Sequence, residues 1–121
     1  MKPYCFILMP FGKKLNSSGR VVDFNHVYDS IIKPAVNDAD LDPIRADEES
    51  MGGIIHKPMF ERLMMCSYAV ADLTTANANV FYELGIRHGV RPHSTVLIAG
   101  SGMRLPFDVA PLRAIFYELS R

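Results

Sequence analysis

Apolar residues in this chain come in short continuous blocks, and between the blocks they fall at helical spacing. Cys5-Phe6-Ile7-Leu8-Met9 is such a block, stopped by Pro10 and Gly12, as expected of a strand buried on both faces. Residues 13–20 are polar with Gly and Ser, which predicts a loop. From Asp23 the period changes: Phe24, Val27, Tyr28, Ile31 and Ala35 line one side of a helix. Asp23 is its expected N-cap, and Pro34 is expected to kink it by removing one backbone donor. Asp42-Pro43-Ile44-Arg45-Ala46 predicts a second, shorter strand. Residues 47–53 are acidic and then glycine-rich, and lead into a second helix with an apolar face of Ile55, Met59, Leu63 and Cys66. The pattern continues with a third strand at 68–73, a third helix at 79–90, a fourth strand at 95–99 and a fifth at 114–117.

Strands alternating with helices predict a parallel sheet covered on both faces. Five strands in so short a chain predict an α/β, flavodoxin-like (Rossmann-like) three-layer sandwich with strand order 2-1-3-4-5. Its switch point falls between the first and third strands, and open α/β sheets bind ligands there, beyond the carboxyl ends of the strands. The crevice is then walled by the 10–14 loop and the 72–79 loop. The 121 residues form one domain. Because the sequence stops soon after the fifth strand, where such folds usually add a helix, the domain is expected to be part of a longer protein.

Composition narrows the partners. Hydrophobic residues make up 49% and charged ones 21%, a balance that rules against disorder. Thirteen basic and thirteen acidic side chains cancel, leaving no excess to bind a nucleic acid polymer. No stretch reaches the roughly 18 apolar residues of a membrane span. Cys5 and Cys66 lie in apolar runs without metal or redox spacing, which suits buried free thiols and a cytoplasmic location. None of His26, His56, His88 and His93 belongs to a metal-ligating cluster, so neither a metal nor another cofactor is expected.

The candidate chemistry is concentrated in residues 70–85. The third strand ends in Asp72, a polar loop follows with Asn77 and Asn79, and the next helix carries Tyr82 and Glu83 in its first turns. A carboxylate at such a position can serve as nucleophile or as acid and base. Glu83 also stands four residues before Arg87, so a solvent-exposed pair worth about 0.2–0.5 kcal/mol is the plain structural alternative. Asp72 has its own plain alternative, a hydrogen bond to the turn that follows it. Asn79 is a candidate helix N-cap, a role compatible with bordering a ligand. Across the crevice, Pro10, Phe11, Gly12 and Lys13 form a loop that glycine lets approach a ligand, although it lacks the Gly-Lys-Ser/Thr ending of a P-loop. Asp47 and Gly53, beyond the second strand, are further candidates for ligand contact.

At Ala71-Asp72-Leu73-Thr74 and at Asn77-Ala78-Asn79-Val80-Phe81-Tyr82-Glu83-Leu84-Gly85, the chain resembles the nucleoside 2-deoxyribosyltransferase and deoxynucleoside-monophosphate N-glycosidase group. The opening Cys5-Phe6-Ile7-Leu8-Met9-Pro10-Phe11-Gly12 is similar to the TIR-like nucleotide-binding branch of that superfamily. The resemblance implies that Glu83 attacks the anomeric carbon, or supports that attack, and that Asp72 helps protonate the leaving base or orients the sugar. The glycosidases carry a Gly- and Ser-rich phosphate loop after the first strand, where this chain has Pro-Phe-Gly-Lys.

Three functions are therefore expected in descending order. The first is N-glycosidic cleavage or deoxyribosyl transfer on a nucleoside or nucleotide. The second is a non-catalytic nucleotide-sensing module, and the third is NAD cleavage in the manner of TIR domains. The resemblance also implies a homodimer. Phe60, Met64 and Met65 on the second helix and Val80-Phe81-Tyr82 on the third offer the wide apolar surface that an interface needs.

Overall fold

The computed structural model describes residues 2–16, 18–45, 56–75, 77–101 and 114–118, with side chains omitted for 56–60. Its strands are β1 (Tyr4–Leu8), β2 (Lys13–Leu15), β3 (Val21–Asp23), β4 (Asp42–Arg45), β5 (Tyr68–Asp72), β6 (Thr95–Gly100) and β7 (Ala114–Tyr117). The helices are α1 (Phe24–Val27), which runs through a π turn (Tyr28–Ile32) into α2 (Lys33–Asp38), then α3 (His56–Met65) and α4 (Ala78–Val90). Five strands form one sheet in the order β4-β1-β5-β6-β7, with every pairing parallel. Counting only these five, the order is 2-1-3-4-5. The fold is the α/β sandwich that the alternating blocks predict.

A parallel sheet leaves both faces to be buried, and each has its own core. Phe6, Leu8, Ala69, Ala71 and Leu97 pack on one face against Leu63 and Cys66 and against Val80 and Leu84 of α4. Cys5 and Ile7 point the other way, toward Phe24, Val27, Tyr28, Ile32 and Val36. Period-two alternation along β1 thus feeds two separate layers.

Asp23 caps the first helix as expected, its Oδ1 accepting from the backbone N–H groups of Asn25 (3.1 Å) and His26 (3.3 Å). A π turn stands just before Pro34 and widens the backbone where the proline withholds a donor.

Two expectations need correction. Residues 13–20 are not simply a loop, because β2 and β3 pair as an antiparallel ribbon with Lys13 opposite Asp23 and Leu15 opposite Val21. The strand β2 is exposed along its whole length, so no buried alternation marks it in the sequence. The ribbon's turn is organised by Asn16, whose Oδ1 accepts from Ser18 N, Ser18 Oγ and Arg20 N. The second correction concerns α4, which begins at Ala78 and is capped by Asn77 rather than Asn79. Asn77 Oδ1 accepts from the N–H groups of Asn79 (2.9 Å) and Val80 (3.2 Å).

Among the described residues no helix is long and apolar enough to cross a membrane. Met64 and Met65 on α3 are exposed, as is Tyr82 on α4, whereas Val80 is buried in the core.

Candidate functional site

The carboxyl ends of β4, β1 and β5 lie side by side, with Ile7 in register with Arg45 and Leu8 with Ala71. The segments that follow β1 and β5 leave the sheet at that edge. The loop after β1 is held there by Arg45, which is buried although the sequence suggests only an open edge position. Its Nη2 donates to the Pro10 carbonyl at 3.2 Å. Its guanidinium carbon stands 5.1 Å from the Phe11 ring centroid and 5.2 Å from that of Tyr28, a cation sandwiched between two aromatic faces.

Gly12 continues the same loop with a positive φ of 65°, a conformation that other L-residues adopt only with strain. Its N–H donates to Asn25 Oδ1 at 3.2 Å and its carbonyl accepts from Phe24 N at 2.9 Å, so the turn is tied to the start of α1. A Cβ at Gly12 meets nothing within 4 Å, which leaves the backbone as the only obstacle. Gly12→Ala is therefore expected to cost about 1–2 kcal/mol, read as a lower denaturant midpoint with unchanged slope. A wild-type midpoint would show that the turn can relax. Lys13 and Lys14 follow on the exposed strand β2.

Asp72 ends β5 and is only 1% exposed. Its Oδ1 accepts from Thr74 N at 3.0 Å and is also hydrogen-bonded to the Thr74 hydroxyl, while its Oδ2 accepts from the Tyr117 hydroxyl at 2.7 Å. Thr74 Oγ1 lies 2.8 Å from the Tyr117 hydroxyl and accepts from Gly100 N at 2.9 Å. The turn bond expected of a strand-end aspartate is present, but it is one part of a network joining β5 to β6 and β7. Burial raises the Asp72 carboxyl above its ordinary range, against the opposing pull of the Thr74 and Tyr117 hydrogen bonds. Burial is also the main reason that the Tyr117 hydroxyl is raised, with the Asp72 charge adding to it.

Glu83 sits in the second turn of α4 and is half-buried. The surface pair with Arg87 does not form. Arg87 is fully buried and turns its donors elsewhere, to the Leu63 and Cys66 carbonyls, Ser94 Oγ and Thr95 Oγ1. No cation pairs with Glu83 among the described residues, and burial alone raises its carboxyl from 4.5 to about 7. His88, the next residue, is only partly buried, and Arg87 occupies the inner position of the helix.

Of the residues nominated from sequence, Pro10, Phe11 and Gly12 converge on Arg45 and Asn25, and Asn77 fixes the start of the helix that bears Glu83. Asn79 and Tyr82 are exposed on the first turns of that helix. The carboxyl of Asp72 bonds to Thr74 and Tyr117 and to none of the nominated side chains. Asp47 and Gly53 lie outside the described residues. Thr74 and Tyr117 were not nominated. The Asp-x-Thr spacing of a side-chain turn points to Thr74, whereas only the sheet order brings in Tyr117, 45 residues away.

An apolar cleft of about 350 Å³ opens at the opposite edge of the sheet, lined by Cys5, Val36, Leu41, Tyr68, Val70 and Val96 among others. It contains none of the nominated residues, and we place the chemistry at the carboxyl edge, where the titratable groups are. There the two carboxyl groups are both raised by burial, one enclosed in a hydrogen-bonded network and the other partly accessible and without a cation among the described residues. No protein-family model matches the chain, and no curated protein is significantly similar to it.

Proposed function

We propose that this domain cleaves or transfers the N-glycosidic bond of a nucleoside or nucleotide, with Glu83 as the nucleophile. The observation that carries this reading is the state of Glu83: half-buried, without a cation among the described residues, and presented by a helix that starts at the sheet's switch-point edge. Breaking an N-glycosidic bond passes through an oxocarbenium-like state, which a carboxylate on one face of the sugar stabilises or traps. A carboxyl that ionises near neutrality is available for that role once the pH passes about 7. The family resemblance at residues 71–85 supports the same assignment. Exposed Met64 and Met65 on α3 support pairing of two copies through that helix.

Incubation with deoxynucleoside monophosphates, nucleosides and NAD, followed by chromatography for free base, tests the proposal. Base release that rises with pH through about 7 and disappears in Glu83→Ala is the expected result. Release unchanged by that substitution would remove Glu83 from the mechanism, and nicotinamide as the sole product would move the activity to NAD cleavage.

A second reading, a nucleotide-sensing module without turnover, is favoured by the loop after β1. Gly12 N–H, which a phosphate loop would offer to its ligand, is already taken by Asn25. Saturable nucleotide binding with no product over many hours would select this reading.

A further inference from the structure

Three side chains meet at the carboxyl edge of the sheet in a closed arrangement of oxygens, and their protons can be counted. Asp72 contacts Thr74 through Oδ1, Thr74 Oγ1 lies 2.8 Å from the Tyr117 hydroxyl, and that hydroxyl lies 2.7 Å from Asp72 Oδ2. These are three oxygen–oxygen contacts at hydrogen-bonding distance, and each needs one proton. The two hydroxyls supply two. If Asp72 is ionised, both hydroxyl protons point at its oxygens, and the Thr74–Tyr117 contact holds two lone pairs with no proton between them.

We propose that Asp72 is held as the neutral carboxylic acid, its proton closing a ring of three hydrogen bonds with Thr74 and Tyr117, and that these two side chains are the positioning residues of the site's acid. With the third proton in place the ring runs in one direction. Asp72 Oδ1–H donates to Thr74 Oγ1, the Thr74 hydroxyl donates to the Tyr117 oxygen, and the Tyr117 hydroxyl donates to Asp72 Oδ2. The backbone donors fit the same assignment. Gly100 N at 2.9 Å fills the second acceptor site of Thr74 Oγ1, and Thr74 N at 3.0 Å fills the remaining acceptor site of Asp72 Oδ1. Every hydroxyl of the ring then donates one bond and every oxygen accepts at least one, a condition under which bonds in a dry network reinforce one another.

Among the described residues, no charged group acts against a neutral Asp72. The neighbouring β6 presents Ile98 in register with Asp72, and Gly100 as a backbone donor. From β7 comes Tyr117, itself titratable but raised well out of the physiological range. On the β1 side Leu8 and Met9 are buried and apolar. Among the described groups no cation stands beside the carboxyl, and each hydroxyl taken singly favours the carboxylate by donating to it; taken together the two supply one proton fewer than the three contacts need, and only the neutral acid closes the ring.

The use of the stored proton rests on the glycosidase reading: passed from Asp72 Oδ1 to the leaving base, it leaves a carboxylate that the Thr74 and Tyr117 hydroxyls can both turn to serve. The protonation state itself is read without any substrate, so failure of the ring and failure of the enzymatic reading are separable. In protein labelled with ¹³C at aspartate, and with Asp72 assigned through its own backbone, the Asp72 carboxyl carbon is expected at the neutral-acid position at pH 7. An unstructured aspartate peptide measured under the same conditions gives the carboxylate position for comparison. A carboxylate signal for Asp72 at pH 7 would overturn the proposal. In Tyr117→Phe the titration midpoint of Asp72 is expected to fall, because the neutral acid loses two bonds of the ring and the carboxylate only one. A midpoint that stays or rises would mean that burial holds the proton, or that Tyr117 serves an ionised Asp72, and either result overturns the role given to Tyr117.

Discussion

Arg87→Ala is expected to destabilise the fold by about 3–5 kcal/mol, the largest single loss anticipated in this chain. The reason lies at the end of α3, whose last carbonyls have no partner within their own helix. Arg87 Nη1 donates to Leu63 O at 3.0 Å and to Cys66 O at 2.6 Å, and Arg91 Nε donates to Met64 O at 2.8 Å. Positive charge at a helix C-terminus also complements its dipole. The same guanidinium reaches Ser94 Oγ and Thr95 Oγ1 at 3.0 Å each, so one side chain joins α3, α4 and the start of β6. Truncation leaves buried carbonyls without donors and opens a void beside Leu63. Arg87→Lys is expected to recover less than half of the loss, since an ammonium cannot reproduce the planar fork. Denaturant unfolding gives the measurement, and a change below about 1 kcal/mol for Arg87→Ala would contradict the account.

Glu83→Gln is expected to move stability and activity in opposite directions. Because burial raises the folded carboxyl from 4.5 to about 7, the unfolded chain ionises first as pH rises. Stability is then lost across that interval, and above about pH 7 the full penalty of the buried charge applies. The separation corresponds to at most about 3 kcal/mol, less whatever solvent reaches a half-buried group. Glutamine cannot ionise and escapes this penalty, so the variant should gain stability at pH 8 and little at pH 4. Base release, if Glu83 is the nucleophile, should fall by at least about 10³-fold. A variant equally stable at both pH values relative to wild type would show that Glu83 titrates normally. This opposition between stability and activity is what an enzyme site produces and a structural acid does not.

How far the sequence alone reaches depends on where the information is stored. The parallel sheet is readable because a strand buried on both faces must be apolar throughout, as Cys5 to Met9 is, and a run such as Val96 to Ala99 comes close to it. The ribbon β2–β3 is not, since exposed strands carry no burial pattern and its turn depends on one asparagine side chain. At the site, Asp72 and Glu83 stand out by position in the chain. Their surroundings do not, because the Tyr117 contact spans 45 residues and exists only once β5, β6 and β7 lie in order. Arg87 was misplaced for a related reason. An arginine four residues after a glutamate reads as a surface partner until the neighbouring helix end that needs its donors is in place. Arg45 likewise shows its role only when Phe11 and Tyr28 close on it from either side.

The division of the interior into two layers has a chemical consequence. Cys5 belongs to the layer under α1 and α2, and Cys66 to the layer under α3 and α4. Both thiols are buried and neither is in a disulfide, and burial pushes that of Cys5 up to about 12, so its thiolate is scarce while the layer is closed. Each half of the molecule therefore carries its own buried thiol. When one layer loosens, its thiol becomes available to an alkylating reagent while the other stays silent, and the order in which the two react is a record of which half breathes first.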